Sequence, residues 1–131
     1  MPLLAAGLWI RLQNDTADKS FCYSGDSARS DAFIKMSKDC NVMVHMCHRI
    51  SGTELTPAAR TSSAGHMEVA DVANEANAKT CVFSHISDQM DVFGIPERLL
   101  REISGVYKGN SIWARDLMEI EFAAPAPKKL I

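Results

Sequence analysis

The stretch GHMEVADVANEANAKTCVFSH, residues 65–85, holds one helix and one strand in immediate succession. Small apolar residues recur at helical spacing over residues 67–77, which predicts an α-helix with one buried face. Residues 79–84 (KTCVFS) form a short apolar run, which is typical of a buried strand. A helix that leads directly into a buried strand is the repeating unit of α/β folds with a partly parallel sheet.

Predicted helices and strands continue to alternate on both sides of this stretch. Before it, residues 7–12 and 20–24 predict the two strands of a hairpin, residues 29–37 a helix, and residues 41–46 (NVMVHM) another buried strand. Residues 51–65 are rich in Ser, Thr, Gly and Ala, which predicts a long loop that forms part of a pocket wall. After it, residues 96–107 predict a helix, and residues 111–114 and 117–122 predict closing strands. The fold class is therefore α/β, with one mixed sheet.

Length and composition narrow the class of protein. The 131 residues suffice for one domain, and a hydrophobic fraction of 47% with 23% charged residues is typical of a folded globular chain. A net charge of −2 gives no general attraction to nucleic acid or to an anionic membrane, and no apolar run is long enough to cross a bilayer. The four cysteines lack CxxC spacing, which is typical of reduced thiols. These features predict a cytoplasmic protein without nucleic-acid or membrane partners.

The two central strands predict an association between copies. NVMVH and TCVFS are apolar at nearly every position, and such strands are normally covered on both faces of their sheet. The chain offers about three helices, which can cover one face. We therefore expect a homodimer that forms through the exposed sheet face, because an uncovered face would be an unusually large apolar patch.

Polar side chains fall where the predicted strands end. Asp26 follows the strand at residues 20–24, His45 and His48 end the strand at residues 41–46, and His85 ends the strand at residues 79–84, while His66 precedes a helix. The carboxyl ends of parallel strands converge on one edge of a sheet, and imidazole and carboxylate groups are ligands for zinc and similar ions. Two readings stay open on spacing alone, a metal site or ordinary hydrogen-bonded histidines with Asp26 as a helix cap.

Four segments carry a resemblance to a known family. In order, they are YSGD (residues 23–26), NVMVHMCH (41–48), GHMEVADVANEANAKTCVFSH (65–85) and SIWARDLMEI (111–120). Together they resemble the C-terminal half of a metallo-β-lactamase-fold hydrolase, on the ribonuclease Z-like and arylsulfatase-like branch. The resemblance implies that residues 1–131 are a single truncated domain, lacking the N-terminal half with its HxHxDH motif. The expected fold is half of an αββα sandwich, with one mixed sheet and helices on one face, completed by dimerisation.

The resemblance also implies roles for the candidate residues. Asp26 would bridge two metal ions and take part in catalysis, His85 would be the last metal-binding histidine, and His66 would assist the leaving group. His45, His48 and His66 are further candidate ligands. The implied cofactor is a divalent metal, zinc first with manganese or iron as alternatives, at one or two ions per chain. We expect hydrolysis of small phosphotriesters or phosphodiesters by a metal-bound hydroxide.

Three alternatives to this function stay open. The first is a carboxyl ester or lactone hydrolase that uses the same site. The second is a non-catalytic binding or oligomerising module in which the histidines are structural. The third is a subunit that completes its site with a separate protein equivalent to the N-terminal half.

Overall fold

A computed structural model describes residues 8–14, 18–53 and 56–122 of the chain. Its strands are β1 (Ile10–Asn14), β2 (Lys19–Tyr23), β3 (Val42–Met46), β4 (Thr80–Ser84) and β5 (Asn110–Trp113). Its helices are α1 (Asp31–Met36), α2 (Pro57–Ser62), α3 (His66–Ala76) and α4 (Ile95–Ser104). Within these residues, no helix is long and apolar enough to cross a membrane.

The strands form one five-stranded sheet in the order β1-β2-β3-β4-β5. β1 and β2 are an antiparallel hairpin, and β2 to β5 run parallel to one another. The mixed α/β sheet expected from the sequence is therefore confirmed, including the hairpin at its start.

The helices follow from local signals in the sequence. Ser30 caps α1, because its side chain accepts a hydrogen bond from the backbone N–H of Phe33. Asn77 ends α3 in the left-handed conformation, with φ of 54°. Pro96 lies in the first turn of α4, where its missing N–H costs no hydrogen bond.

One face of the sheet carries the core. Parallel connections between neighbouring strands are nearly always right-handed, so successive helices pack on the same side. Buried side chains from α1, α3 and α4 meet buried side chains from the strands; they include Phe33, Val69, Val72, Leu99, Ile103, Met43, Cys81 and Phe83. Helices on one face are thus confirmed as well.

The other face, here called the open face, is covered in part by the chain itself. Its central valines, Val42 and Val82, are each only 2% exposed. Residues 119–122 line a cavity together with open-face residues of β4 and β5, and the ring of Phe122 lies 6.0 Å from that of Phe21. The segment after β5 therefore crosses the open face.

Two local predictions differ from the structure. Residues 117–122 do not form a strand; Leu117 adopts a left-handed φ of 61°, and the chain turns back over the open face instead of pairing at the sheet edge. Crossing the face buries apolar surface that edge pairing would leave in water. The predicted loop at residues 51–65 contains helix α2.

Candidate metal centre

The carboxyl ends of the parallel strands form one edge of the sheet, here called the rim. Hydrogen bonds continue the strand ladder past the ends of the strands, from Ser24 N–H to the carbonyl of Val44 (3.0 Å) and from Cys47 N–H to the carbonyl of Ser84 (2.6 Å). The ends of β2, β3 and β4 are therefore level with one another. The residues that follow them are held side by side.

Asp26 and His85 meet at this rim. Oδ1 of Asp26 lies 3.5 Å from Nε2 of His85, and both side chains are largely open to solvent. Two ligand atoms about 2.0–2.1 Å from a tetrahedral zinc ion lie roughly 3.3 Å from each other. The spacing of these two atoms therefore fits two ligands of one ion, and the carboxylate and imidazole suit zinc, manganese or iron.

His48 lies against His85. The two Nδ1 atoms are 3.0 Å apart, and the rings meet edge to face with centroids 4.7 Å apart. A metal on Nε2 of His85 requires the proton on Nδ1, and Nδ1 of His48 accepts it when the proton of His48 is on Nε2; in the other tautomer, Nδ1 of His48 donates to the backbone carbonyl oxygen of His85 at 3.3 Å. His48 thus suits the role of a partner that fixes the tautomer of His85.

The backbone is unusual next to Asp26 and at His85. Gly25, directly before Asp26, has a φ of 58°, and a Cβ at this position would lie 3.1 Å from the carbonyl oxygen of Leu8. His85 itself has a φ of 59°, in the left-handed region that most side chains avoid. Non-glycine residues held in this region are enriched at functional sites, because the surrounding structure must offset the strain.

His45 does not join the others at the rim. It pairs with Phe83 inside the sheet, so the alternation of side chains along β3 turns it toward the helices. It is fully buried against Phe33, and its Nδ1 lies 2.8 Å from the carbonyl oxygen of Met46. Burial lowers the pKa of His45 to about 4, so the ring is neutral near pH 7. This position does not suit the predicted role of His45 as a ligand.

His66 is also set apart from the rim pair. Its Nδ1 accepts a hydrogen bond from the backbone N–H of Ser51 (3.2 Å), so its proton lies on Nε2, which donates to Oε1 of Glu102 (2.9 Å). The side chain is buried, and both ring nitrogens are engaged. The hydrogen bond to His66 lowers the pKa of Glu102. His66 therefore holds the loop after β3 and helix α4 against α3, a position that does not suit the predicted metal ligand or catalytic acid.

A cleft of about 890 Å³ opens beside His85. It is lined by the end of β4, the end of β5 and the start of α4; its lining includes Ser84, Trp113, Arg115, Asp91, Glu97 and Leu100. Residues 51–65 were expected to form a pocket wall, and none of those that the structure describes within this range lines the cleft. Sequence reasoning missed Arg115, and the available signal was its position directly after the predicted strand at residues 111–114.

The rim supplies fewer ligands than the sequence suggested. Across residues 8–14, 18–53 and 56–122, no group of three or more His, Cys, Asp or Glu side chains converges to hold a metal ion. Asp26 and His85 are thus the two side chains at metal-ligand spacing, and His48 contacts His85.

Several known proteins are similar to this chain in sequence. A "Ribonuclease Z" of Methanosarcina acetivorans is 33% identical over 106 residues, which cover 79% of this chain and 32% of that protein. The "Probable metallo-hydrolase YhfI" of Bacillus subtilis is 31% identical over 90 residues, 66% of this chain and 33% of that protein. The chain thus spans about a third of the length of the curated relatives it matches. No protein-family model matches it.

Solved structures share the fold. The metallo-β-lactamase fold protein YhfI from Bacillus subtilis aligns with a TM-score of 0.65 at 18% identity, over 82% of this chain and 45% of that one. The short form of human tRNase Z aligns with a TM-score of 0.62 at 16% identity, over 86% and 37%. By fold and by sequence similarity, the chain corresponds to the C-terminal half of a metallo-β-lactamase-fold hydrolase, with ribonuclease Z and YhfI among its relatives.

Proposed function

We propose that this chain carries part of the active site of a metal-dependent hydrolase that acts on phosphoesters, with phosphodiesters and phosphotriesters as substrates. The observation that carries the proposal is the pairing of Asp26 with His85 at a spacing suited to one metal ion. Curated relatives named as metallo-hydrolase and ribonuclease support the reaction class.

The chain's own residues would have distinct tasks. Oδ1 of Asp26 and Nε2 of His85 would hold a divalent metal, preferably zinc, at a minimum of one ion per chain. When bound, such a metal lowers the pKa of a water ligand and polarises the ester oxygen. His48 would keep the proton of His85 on Nδ1, leaving Nε2 free as a ligand.

The cleft beside His85 supports a phosphoester substrate. Arg115 lines it, and a guanidinium group matches the geometry and charge of phosphoryl oxygens. Leu100 and the ring of Trp113 line the same cleft and would contact the apolar part of an ester. A carboxyl ester or lactone would place less charge against Arg115, which makes it the second choice for the same site.

A non-catalytic binding module is the second candidate function. The observation in its favour is that, among the described residues, only Asp26 and His85 meet at metal-ligand spacing, whereas tight zinc sites use three or four protein ligands. In that case His48 and His85 would serve only to fix the loops that follow β3 and β4.

Metal analysis of the purified chain, followed by hydrolysis assays, separates these functions. The enzyme predicts bound zinc, manganese or iron, hydrolysis of bis(p-nitrophenyl) phosphate faster than of p-nitrophenyl acetate, and loss of both activities with a chelator. The variant Asp26→Ala should lose metal and activity, while Asp71→Ala, an exposed carboxylate on α3, should keep both. Metal-free protein whose thermal stability does not respond to added zinc or to chelator would rule out the enzyme.

We also propose a cytoplasmic location. All four cysteines are free, and each is buried. Unpaired thiols are usual in reducing compartments, which supports the proposal.

A further inference from the structure

An ion pair outside the metal centre holds residues 47–51, the segment that directly follows β3. Arg49 donates to both carboxylate oxygens of Glu68 on α3, from Nη1 to Oε1 at 2.9 Å and from Nη2 to Oε2 at 2.7 Å. The same guanidinium group donates from Nε to Oγ of Ser63 and from Nη2 to the backbone carbonyl oxygen of Ser63, each at 3.2 Å. These hydrogen bonds tie the segment to the first turn of α3 and to the residues just before it.

The value of this ion pair lies in its geometry more than in its contribution to stability. The side chains of Arg49 and Glu68 are only 11% and 28% exposed. Removing two charges from water costs free energy that largely offsets their attraction, so an apolar pair of similar size would stabilise the fold about as well. A guanidinium group that donates to both oxygens of one carboxylate also fixes how the two groups are oriented. The pair therefore sets the position of the segment relative to α3.

The chain leaves room for this close approach at Gly65. A Cβ at this position would lie 2.8 Å from Nη1 of Arg49 and 2.9 Å from Cα of Ser51. Both distances are shorter than ordinary contacts, so a side chain here would push the segment away from α3. Arg49 and Gly65 also form an isolated parallel bridge. Backbone and side chain thus hold residue 49 in the same place.

The position of His48 depends on this segment. Its backbone N–H donates to the carbonyl oxygen of Ala64 at 3.0 Å, and Arg49 is the next residue. Its Nδ1 lies 3.0 Å from Nδ1 of His85 and 3.3 Å from the backbone carbonyl oxygen of His85. His48 is itself exposed, so the ring is not enclosed by packed side chains. The bonds that hold the backbone at residues 48 and 49 therefore determine where the ring lies.

We propose that Arg49 is a positioning residue of the metal centre, which holds the segment after β3 through Glu68 and Ser63 so that His48 stays in contact with His85. This inference rests on the proposed function. Nε2 of His85 is free to bind a metal only while the proton of the ring is on Nδ1, the nitrogen that lies next to His48. Arg49 thus acts on metal binding without contacting the metal.

The first test determines the tautomer of His85 by ¹⁵N NMR of the metal-free chain at about pH 8, where imidazoles in water are neutral. In the wild type, the proton of His85 should be on Nδ1. Arg49→Gln removes the charge and the two-pronged contact, and it should give a mixture of both tautomers. Arg29→Gln is the matched control, because it removes another ion pair to a carboxylate of α3, that of Glu75, and should leave the tautomer unchanged.

Two outcomes of this first test would overturn the proposal. One is a wild-type chain in which the proton of His85 is on Nε2. The other is an Arg49→Gln variant that folds and keeps the wild-type tautomer. Should Arg49→Gln fail to fold, Glu68→Gln removes the carboxylate from the same pair at a more exposed position and is subject to the same two outcomes.

The second test compares zinc affinity, measured by calorimetry, with stability, measured by urea denaturation. Arg49→Gln and Glu68→Gln should each bind zinc at least about threefold more weakly than the wild type. Arg49→Lys keeps the charge but cannot bond both oxygens in the same fork, so it should recover only part of the affinity. His66→Ala is the comparison for stability, since it frees the N–H of Ser51 beyond the bonds of residues 48 and 49 and should keep the wild-type affinity.

The two measurements separate the possible failures. Arg49→Gln and Glu68→Gln variants that lose stability and keep the wild-type zinc affinity would show that the ion pair serves the fold alone, which overturns the proposal. A wild-type chain that binds no zinc, manganese or iron would contradict the proposed function instead. The tautomer of His85 in Arg49→Gln would then still decide whether Arg49 positions His48.

Discussion

Oδ1 of Asp26 and Nε2 of His85 lie 3.5 Å apart, although the strands that they follow, β2 and β4, are separated by β3. Neighbouring strands are about 4.8 Å apart, so the two side chains must lean toward each other across the end of β3. The loops that follow β2 and β4 therefore bring the carboxylate of Asp26 and the imidazole of His85 together.

Replacing either residue by alanine should weaken zinc binding and leave the fold intact. Both side chains are largely exposed, so their removal opens no cavity in the core. We expect the affinity for zinc to fall by at least about tenfold, or about 1.4 kcal/mol, in Asp26→Ala and in His85→Ala. Calorimetry measures the affinity, and circular dichroism checks the fold. Unchanged affinity in both variants would remove this pair from the site.

The backbone strain at His85 predicts a difference between two substitutions. His85→Ala removes the imidazole but keeps a Cβ at a φ of 59°, whereas His85→Gly removes both. His85→Gly should be more stable than His85→Ala by about 1 kcal/mol, although glycine usually destabilises a folded chain. Urea denaturation measures the difference. A less stable glycine variant would mean that the conformation of His85 is not strained.

Gly25→Ala should affect both stability and metal binding. A Cβ at φ 58° costs about 1–2 kcal/mol, and here it also approaches the carbonyl oxygen of Leu8 at 3.1 Å, which displaces Asp26. Gly52→Ala is the matched control, since Gly52 has a φ of 91° with open space around it. Both variants should lose stability in thermal unfolding, but only Gly25→Ala should lose zinc affinity. Equal zinc affinity in the two variants would contradict the link between Gly25 and the site.

The buried ring of His45 predicts an acid-sensitive fold. Burial lowers its pKa to about 4 in the folded chain, against roughly 6.5 in the unfolded chain, while the hydrogen bond to the backbone carbonyl of Met46 and then the charge of Glu68 oppose the shift in part. As the pH falls below about 6.5, the unfolded chain takes up a proton that the folded chain does not. The free energy of unfolding should therefore decrease by roughly 3 kcal/mol between pH 6.5 and pH 4, and level off below that. His45→Gln should remove this part of the pH dependence in urea titrations; an identical slope would contradict the assignment.

His66→Ala should act on stability and leave metal affinity unchanged. The substitution leaves the N–H of Ser51 without a partner and removes one of the two contacts of the Glu102 carboxylate, whose Oε2 still accepts from Nε of Arg98. We expect a loss of roughly 2–3 kcal/mol in the free energy of unfolding. A slower hydrolysis rate at unchanged stability would instead support the catalytic role that the family resemblance implies for His66.

Much of the fold was predictable because its signals are local. The helix and strand within residues 65–85 follow from apolar periodicity, and the helix that begins near Pro96 follows from its start signal. The turn at Leu117 was not predictable, because residues 117–122 are apolar enough for a strand and only the tertiary structure directs them across the open face.

The part of the candidate site that the sequence predicted consists of residues that directly follow the ends of strands. Asp26, His48 and His85 lie just beyond β2, β3 and β4, and convergence of strand ends brings them together. His45 lies within β3, where an unbroken apolar run gives no period-two signal to show which face it takes. His66 hydrogen-bonds to Glu102, which is 36 residues away in the chain. No local sequence pattern indicates a contact between residues so far apart.

The sequential order of the five strands has a consequence for synthesis on the ribosome. Each strand pairs with the strand that precedes it in the chain. No later strand therefore has to insert between two strands that are already paired. The sheet can grow by one strand at a time as the polypeptide emerges, with each added helix closing over the layer before it. The unpaired edges at each stage are then those of β1 and of the strand made last.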